Sequence, residues 1–416
     1  MKTFTFLASF TLAATVMQAQ DYQIDFTASG ASTSVDSVYV ENLTQGTTLS
    51  ISGDDILNLV SGLGINSITA DIDNMRLYPN PMIETTRLEY DNLHSGLVRI
   101  EIINETGILV VGQSLTLQRG VQKFEINNLS AGVYSVMVVA SERSYSSKLI
   151  ALGNSSGNPE IRHRGSSEIS QNKDLKNTTE LIQMAYDEGE MILFKGFSGD
   201  HTVVYTLLPT QSQTVNFEFV ACTDEDENNY SVVTIGTQTW MAKNMKTTTY
   251  NNGNGIPLVT DRDEWRDLNT AAYCWYENDE AFFGVSYGAL YNWFAVNTGM
   301  LCPTGWHVPT DADWTILTDF LGGDGIAGGK LKETGIFHWE DPNTGATNES
   351  GFTALPGGIR KDNGNFEAVN EEGSWWSASQ SGGDDAWFRL LASENEGVER
   401  DDDEKISGLS VRCIKD

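Results

Sequence analysis

The sequence predicts a multidomain, β-rich chain in which Ig-like β-sandwich units precede an α+β domain. Three observations carry that expectation. Apolar and polar residues alternate through much of the first half, as they do on half-buried strands. Gly outnumbers Pro 39 to 9, so turns interrupt these runs often. Nine of the ten Trp lie beyond residue 250, where helix signals also begin. At roughly 150 residues per domain, a chain of 416 residues makes about three domains. Hydrophobic residues are 40% and charged residues 20%, enough apolar surface for real cores. The formal net charge is −31, from 26 Lys+Arg against 57 Asp+Glu. Such a chain lacks the basic surface that displaces phosphate counterions, which excludes a nucleic-acid partner. It also disfavours docking on anionic membranes.

Taken in order, Lys2, the apolar stretch 4–16 and Met17-Gln18-Ala19 read as a secretory signal peptide over 1–19. The stretch is shorter than the ~20 residues of a spanning helix, and no later segment reaches that length, so no membrane span is expected. In 21–65, Tyr22, Ile24 and Phe26, then Val38 and Val40, then Leu49 and Ile51 alternate between Gly30, Gly46 and Gly53. This region is too small to close a core alone. The reading pairs it with 184–221, where strands resume at 189–195, 202–207 and 214–221. Between them, 74–152 opens on Leu77-Tyr78-Pro79-Asn80-Pro81, whose prolines bar a helix. Strands follow at 86–90, 97–103, 109–117, 122–126, 132–140 and 144–151, a small sandwich inserted in the first. Residues 153–183 are rich in Ser, Asn and Gly and read as linker.

From Cys222 the pattern is α+β. Thr310 and Asp313 form a capping-box signal, and Trp314, Leu317, Phe320 and Leu321 follow at helical spacing before Gly322-Gly323. Further helices are expected at 261–272 and 288–297, and Gly- and Asn-rich loops between 322 and 376.

Several residues could carry chemistry. Asp224, Asp226 and Asn228, with the carbonyl of Tyr230, place oxygen ligands at alternate positions, as a loop around calcium would. No cofactor is otherwise required. Trp375, Trp376 and Trp387 offer flat apolar faces for sugar rings, although strand alternation turns one ring of the adjacent pair inward. Gly284-Val285-Ser286-Tyr287-Gly288 matches the nucleophile-elbow pattern, but no βαβ rhythm surrounds it, so a turn into a helix is the expectation. The five His stand alone. The acidic run 394–404 reads as a solvated loop. Cys222, Cys274, Cys302 and Cys413 show no zinc spacing. In an oxidising compartment they read as disulfides, with three pairings open.

The C-terminal phrases are Val233-Thr234-Ile235-Gly236 with Trp240 and Asn244, Tyr287-Gly288-Ala289-Leu290-Tyr291-Asn292-Trp293, and Cys302-Pro303-Thr304-Gly305-Trp306-His307-Val308-Pro309. Gly357-Gly358 with Arg360, Trp375-Trp376-Ser377 and Val411-Arg412-Cys413 complete them. In that order they resemble the Fibrobacter succinogenes major paralogous domain, over 222–416. The resemblance implies a C-type lectin-like fold, an exported or surface protein of a Bacteroidetes-like bacterium, and a Cys302–Cys413 disulfide. Cys222 with Cys274 then follows by elimination. Leu77-Tyr78-Pro79-Asn80-Pro81 and Leu129-Ser130-Ala131-Gly132-Val133-Tyr134 resemble the C-terminal sorting domain of type IX secretion substrates. Such a signal is read at the end of a chain, and here a long domain follows, so a retained structural sandwich is expected.

Together these readings make a secreted or outer-membrane-surface protein, with the periplasm as the alternative location. Its expected partner is a polysaccharide or cell-surface polymer, bound without catalysis. A structural or adhesive protein that binds proteins is the alternative, and a hydrolase using Ser286 the remote one. Oligomeric state is not legible.

Overall fold

The computed structural model describes residues 21–61, 75–92, 95–104, 109–140, 144–153, 157–167 and 180–416. The expected signal peptide over 1–19 lies outside them. The chain is β-rich and built from several sheets. Four strands come first: β1 (Tyr22–Gly30), β2 (Ser37–Asn42), β3 (Thr47–Ser52) and β4 (Ile56–Val60). Tyr22, Ile24 and Phe26 of β1 point into the core while Gln23, Asp25 and Thr27 face solvent. The next eight are β5 (Met75–Tyr78), β6 (Thr85–Asn92), β7 (Gly96–Asn104), β8 (Leu109–Leu117), β9 (Gly120–Asn127), β10 (Gly132–Ala140), β11 (Ser144–Ala151) and β12 (Glu160–Ser167). Then come β13 (Leu181–Ala185), β14 (Ile192–Ser198), β15 (His201–Leu207) and β16 (Gln213–Phe219).

The first and last groups of strands interleave. β1 runs parallel to β16, from Ile24 beside Gln213 to Gly30 beside Phe219. β4 runs parallel to β13, and β2 antiparallel to β14. A parallel pair cannot be joined by a tight hairpin and needs a crossover. The strands β5–β12 lie within the crossover between β4 and β13. They form two four-stranded sheets, β11-β10-β7-β8 and β12-β9-β6-β5, over a core that includes Leu88, Tyr90, Ile100, Phe124, Val136 and Val138.

The expected linker is partly strand. Glu160–Ser167 pairs with β9, and Leu181 opens β13. Only Ile161 of β12 is buried. Its outer positions carry Arg162 and Arg164, ion-paired with Glu160 and Glu125. An edge strand with one inward apolar residue gives almost no hydrophobic period, and charges guard its free edge.

The boundary expected at 222 marks a change in chain character but not in the core. β17 (Val232–Ile235) and β18 (Gln238–Met241) continue the sheet of the first sandwich, through Val203 beside Val232 and Val204 beside Val233. The sheet ends on the short strands Ile414–Lys415 and Trp306–His307. One apolar cluster accordingly runs from Tyr22, Ile24 and Phe217 to Trp293, Trp376 and Cys413. A second joins Leu193 and Val204 to Trp240, Trp314, Phe352 and Trp375.

Helix Asp311–Phe320 carries the capping box: Thr310 N–H donates to Asp313 Oδ2 at 2.9 Å, and Asp313 N–H to Thr310 Oγ1 at 3.3 Å. Trp314, Leu317 and Leu321 are buried, but Phe320 lies outward against Gly236. The helix expected over 261–272 is only Arg262–Arg266, capped by Asp261, before the chain turns to strand Tyr273–Cys274. The helix expected over 288–297 is broken at its first residue. Gly288 has φ +75°, and a Cβ there would stand 2.5 Å from the Met245 carbonyl oxygen. Strand Leu290–Asn292 follows, then the short helix Trp293–Val296. Helix Asp324–Leu331 replaces part of the expected loop. Its glycines hid it: Cβ atoms on Gly328 and Gly329 would meet the carbonyls of Gly397 and Gly345 at 2.0 and 2.3 Å. The acidic run is in part strand too, because Glu399–Glu404 pairs with Asp385–Ala392 as a charged sheet edge.

Irregular chain leaves carbonyls outside any ladder, and buried cations satisfy several of them. Arg412 donates to the carbonyls of Phe352 and Thr353 and to Asn244 Oδ1, with its guanidinium 4.1 Å from the Phe352 ring centre. Arg360 bonds the carbonyls of Val259, Thr260, Asp261 and Gly364 between the rings of Trp265 and Phe366. Lys332 Nζ reaches the carbonyls of Thr344, Ala392 and Asn395 at 2.8–2.9 Å.

Candidate functional site

Three parts of the chain meet around a polar trough. The inserted sandwich contributes Ser95, Gly96 and Leu97, and the β14–β15 turn contributes Gly199 and Asp200. The C-terminal unit contributes the loop from Asp226 to Asn229, Lys246, Thr248, Trp275 and Glu280. The hollow measures about 610 Å³. A shallower depression shares Gly199, Asp200, Glu227 and Asn229 with it and extends it toward Ser32 and His201. Asp200, Asp226, Glu227 and Glu280 are exposed on its walls, against Lys246. Trp275 is almost fully buried and forms floor rather than a stacking face.

The loop that the sequence offers to calcium is one wall of this trough, and it is held by its own hydrogen bonds. Asp224 Oδ1 accepts from the amides of Asp226 and Asn228 at 3.0 and 2.9 Å. Asp224 Oδ2 accepts from Asn228 Nδ2 at 2.9 Å and from the Tyr230 hydroxyl at 2.6 Å. Burial, and next the charge of Asp224, push the Tyr230 hydroxyl well above its ordinary range, so it stays a donor. Asp226 turns the other way. Burial opposes its charge, but the Thr248 amide and the hydroxyls of Thr249, Thr248 and Thr247 hold its carboxyl below the ordinary value. Thus Asp224, Asn228 and Tyr230 come together as a locked turn, while Asp226 bonds elsewhere. Among the described residues no three His, Cys, Asp or Glu side chains are grouped to hold a metal.

The tryptophan candidates stand apart from the trough. Trp375 and Trp376 are both fully buried, on opposite faces of strand Glu372–Gln380. Trp375 enters the second core and donates to Asn244 Oδ1 at 2.8 Å; Trp376 enters the first and donates to the Tyr291 carbonyl at 2.9 Å. The sheet is covered on both sides, so neither ring is available to a sugar. Trp387 is half-buried, and the Arg400 guanidinium sits 3.4 Å from its ring centre.

Cys302 and Cys413 form a disulfide, and Cys222 and Cys274 are free and buried. Elimination fails because the two belong to separate cores: Cys222 packs with Tyr230 and Phe219, Cys274 with Trp265 and Leu290. Burial pushes the Cys274 thiol up to about 12, against the pull of Arg360, and raises Cys222 as well. Neither is a thiolate near neutral pH. Ser286 Oγ is buried without a hydrogen-bond partner, so no base contacts it. His338 instead pairs through Nδ1 with Glu333 Oε2 at 2.6 Å, and His307 through Nδ1 with Asp416 Oδ1 at 2.7 Å.

The trough went unread in the sequence because its walls are ordinary polar loops from distant segments. Two local signals touch it, the calcium-like loop and the start of the Gly284–Gly288 motif, through Gly284 and Val285.

Comparison with known proteins finds two family matches along the chain. Residues 233–415 match the Fibrobacter succinogenes major domain, and residues 76–152 the secretion system C-terminal sorting domain. The chain carries both, the second internally, and together they mark an exported or cell-surface protein. Among the described residues no helix is long and apolar enough to cross a membrane. No curated protein matches the chain. Among solved structures, the Bacillus anthracis TIE protein aligns with 49% of this chain and 51% of its own, at 10% identity and a TM-score of 0.09.

Proposed function

We propose that this chain is a secreted or surface-attached binding protein that recognises a glycan or another surface polymer without turning it over. In this reading the C-terminal unit is C-type lectin-like and the two preceding sandwiches are Ig-like. The observation that carries it is the trough. Carboxylates and amides on Asp200, Glu227, Asn229 and Glu280 supply the hydrogen-bonding groups that polyols require. Lectin-like binding needs complementarity and solvent access, not a poised acid and base.

The test is binding of the chain from residue 21 onward to a panel of soluble and insoluble polysaccharides, with calcium and with chelator. Binding by the wild type, lost in Glu227→Lys and Asp200→Arg, supports the reading. Binding that chelator abolishes would bring a calcium ion back to the loop at Asp224, Asp226 and Asn228. Binding indifferent to both substitutions would move the site elsewhere. No binding to any polysaccharide would favour a structural or adhesive surface protein, a reading supported by the sheet shared between the first sandwich and the C-terminal unit. A hydrolase would need ester turnover that Ser286→Ala removes.

A further inference from the structure

The sheet β11-β10-β7-β8 of the inserted sandwich has two faces. Val98, Ile100, Ile102, Val136 and Val138 fill the sandwich core. The alternate residues Arg99, Glu101, Met137 and Val139 point away from that core and belong to the face a free sandwich shows to water. Yet they are only 4%, 5%, 7% and 4% exposed. What covers them is a segment of the C-terminal unit. The turn Glu280–Gly284 crosses β7 and β8, and helix Val285–Tyr287 crosses β7 and β10.

The contact is specific as well as close. Arg99 bonds the Phe282 carbonyl, lies over the Phe282 ring with 4.5 Å to its centre, and pairs with Glu101 at 3.2 Å. Ser114 Oγ of β8 donates to the Ala281 carbonyl at 2.5 Å. Glu280–Gly284 is a single π turn, wider than an α-helical one, and it offers these two carbonyls outward. On a free face this ion pair would stay hydrated, and it is the cover that imposes a desolvation cost on it. Under this cover it is compensated by the carbonyl, the ring and the apolar contact of Met137 and Val139.

We propose that the inserted sandwich is an intramolecular clasp. It grips the 280–287 segment of the C-terminal unit, and its β10-β7-β8 face is not displayed by the folded chain. The partner of that face is this chain itself. In the folded protein the sorting-type sandwich is then a structural part and not an exposed address. The clasp also fixes Glu280 and Gly284, so it sets one wall of the trough, whatever the trough binds.

The test uses the full chain from residue 21 onward with two cysteine probes on β10: Met137→Cys in the seam and Ser135→Cys, an exposed position on the same face. Maleimide should label Met137→Cys at least about tenfold more slowly than Ser135→Cys, since local opening must precede reaction. Adding Arg99→Ala should bring the two rates together and speed amide exchange across 281–287, leaving Val203 and Val232 as protected as before. Equal labelling without Arg99→Ala would overturn the clasp. Should Arg99→Ala unfold the chain, Ser114→Ala decides: a smaller acceleration confined to 281–287 supports the proposal, and none contradicts it.

Discussion

The inserted sandwich and the C-terminal unit hold their chains in opposite ways. In the insert, eight strands pair in two sheets, and an aliphatic core with Tyr90 and Phe124 fills the space between them. Seven of these strands are eight or nine residues long. In the C-terminal unit many strands are only two to four residues long. Long irregular stretches run between them, and side chains from distant positions take up the carbonyls. Its fully buried side chains include Trp240, Trp265, Trp314, Trp339, Trp375 and Trp376 with Arg360, Arg389 and Arg412. Regular pairing is local and forgiving. A hub such as Arg412 is neither, because one side chain serves several loops at once.

The sharpest way to break this comparison is to remove a hub. Arg412→Met should cost about 3–5 kcal/mol, because Asn244 and the carbonyls of Phe352 and Thr353 lose a charged donor together. Chemical denaturation with residue-resolved exchange should show the loss across the C-terminal unit and β17–β18, with the insert's protection unchanged. Ile100→Ala should cost about 2–4 kcal/mol through the cavity it leaves. That loss should stay within β5–β12, and a spread into the C-terminal core would erase the distinction.

The same contrast decides what could be read in the sequence. The insert's longer strands are legible almost to the residue from their apolar runs and bounding glycines, although β7 is buried on both faces; β12 escapes because only Ile161 faces inward. The C-terminal unit shows its family phrases but hides their meaning. Trp375-Trp376 looks like a ligand platform until the strand proves covered on both faces, where alternation carries no signal. Arg360 and Arg412, which the sequence shows only as members of those phrases, are core. The phrases that carry the resemblance therefore place core residues, with Asn244, Trp375 and Arg412 in one hydrogen-bonded cluster and Trp240 joined to it through the ring of Trp314. The trough lies in residues outside most of those phrases, where spacing gives no guidance.

Two smaller effects sharpen the account. Removing the disulfide with Cys302→Ala and Cys413→Ala should lower stability by about 2–4 kcal/mol, as expected for a bond that closes a long loop. Alkylation without reductant should find two thiols, Cys222 and Cys274, and only after unfolding. The pH response is smaller and has a fixed sign. Burial lowers Lys332 from 10.5 to about 8, partly offset by Glu396. Above pH 8 the unfolded chain then holds the proton that the folded chain releases, so stability rises with pH. The rise should end near pH 10, where Tyr230, Tyr287 and Tyr291, kept protonated by burial, begin to favour the unfolded state. A melting temperature that falls steadily from pH 8 to 10 would contradict this assignment.

The most direct measurement compares two fragments, residues 75–167 and residues 222–416, by amide dispersion and cooperative unfolding. The first closes its own core and should fold alone. The second lacks β2, β14 and β15 of its sheet and the Tyr22, Phe194 and Phe217 side of its core, and should not reach a cooperative native state. Cooperative folding of 222–416 by itself would contradict the claim that the C-terminal unit and the first sandwich are one body.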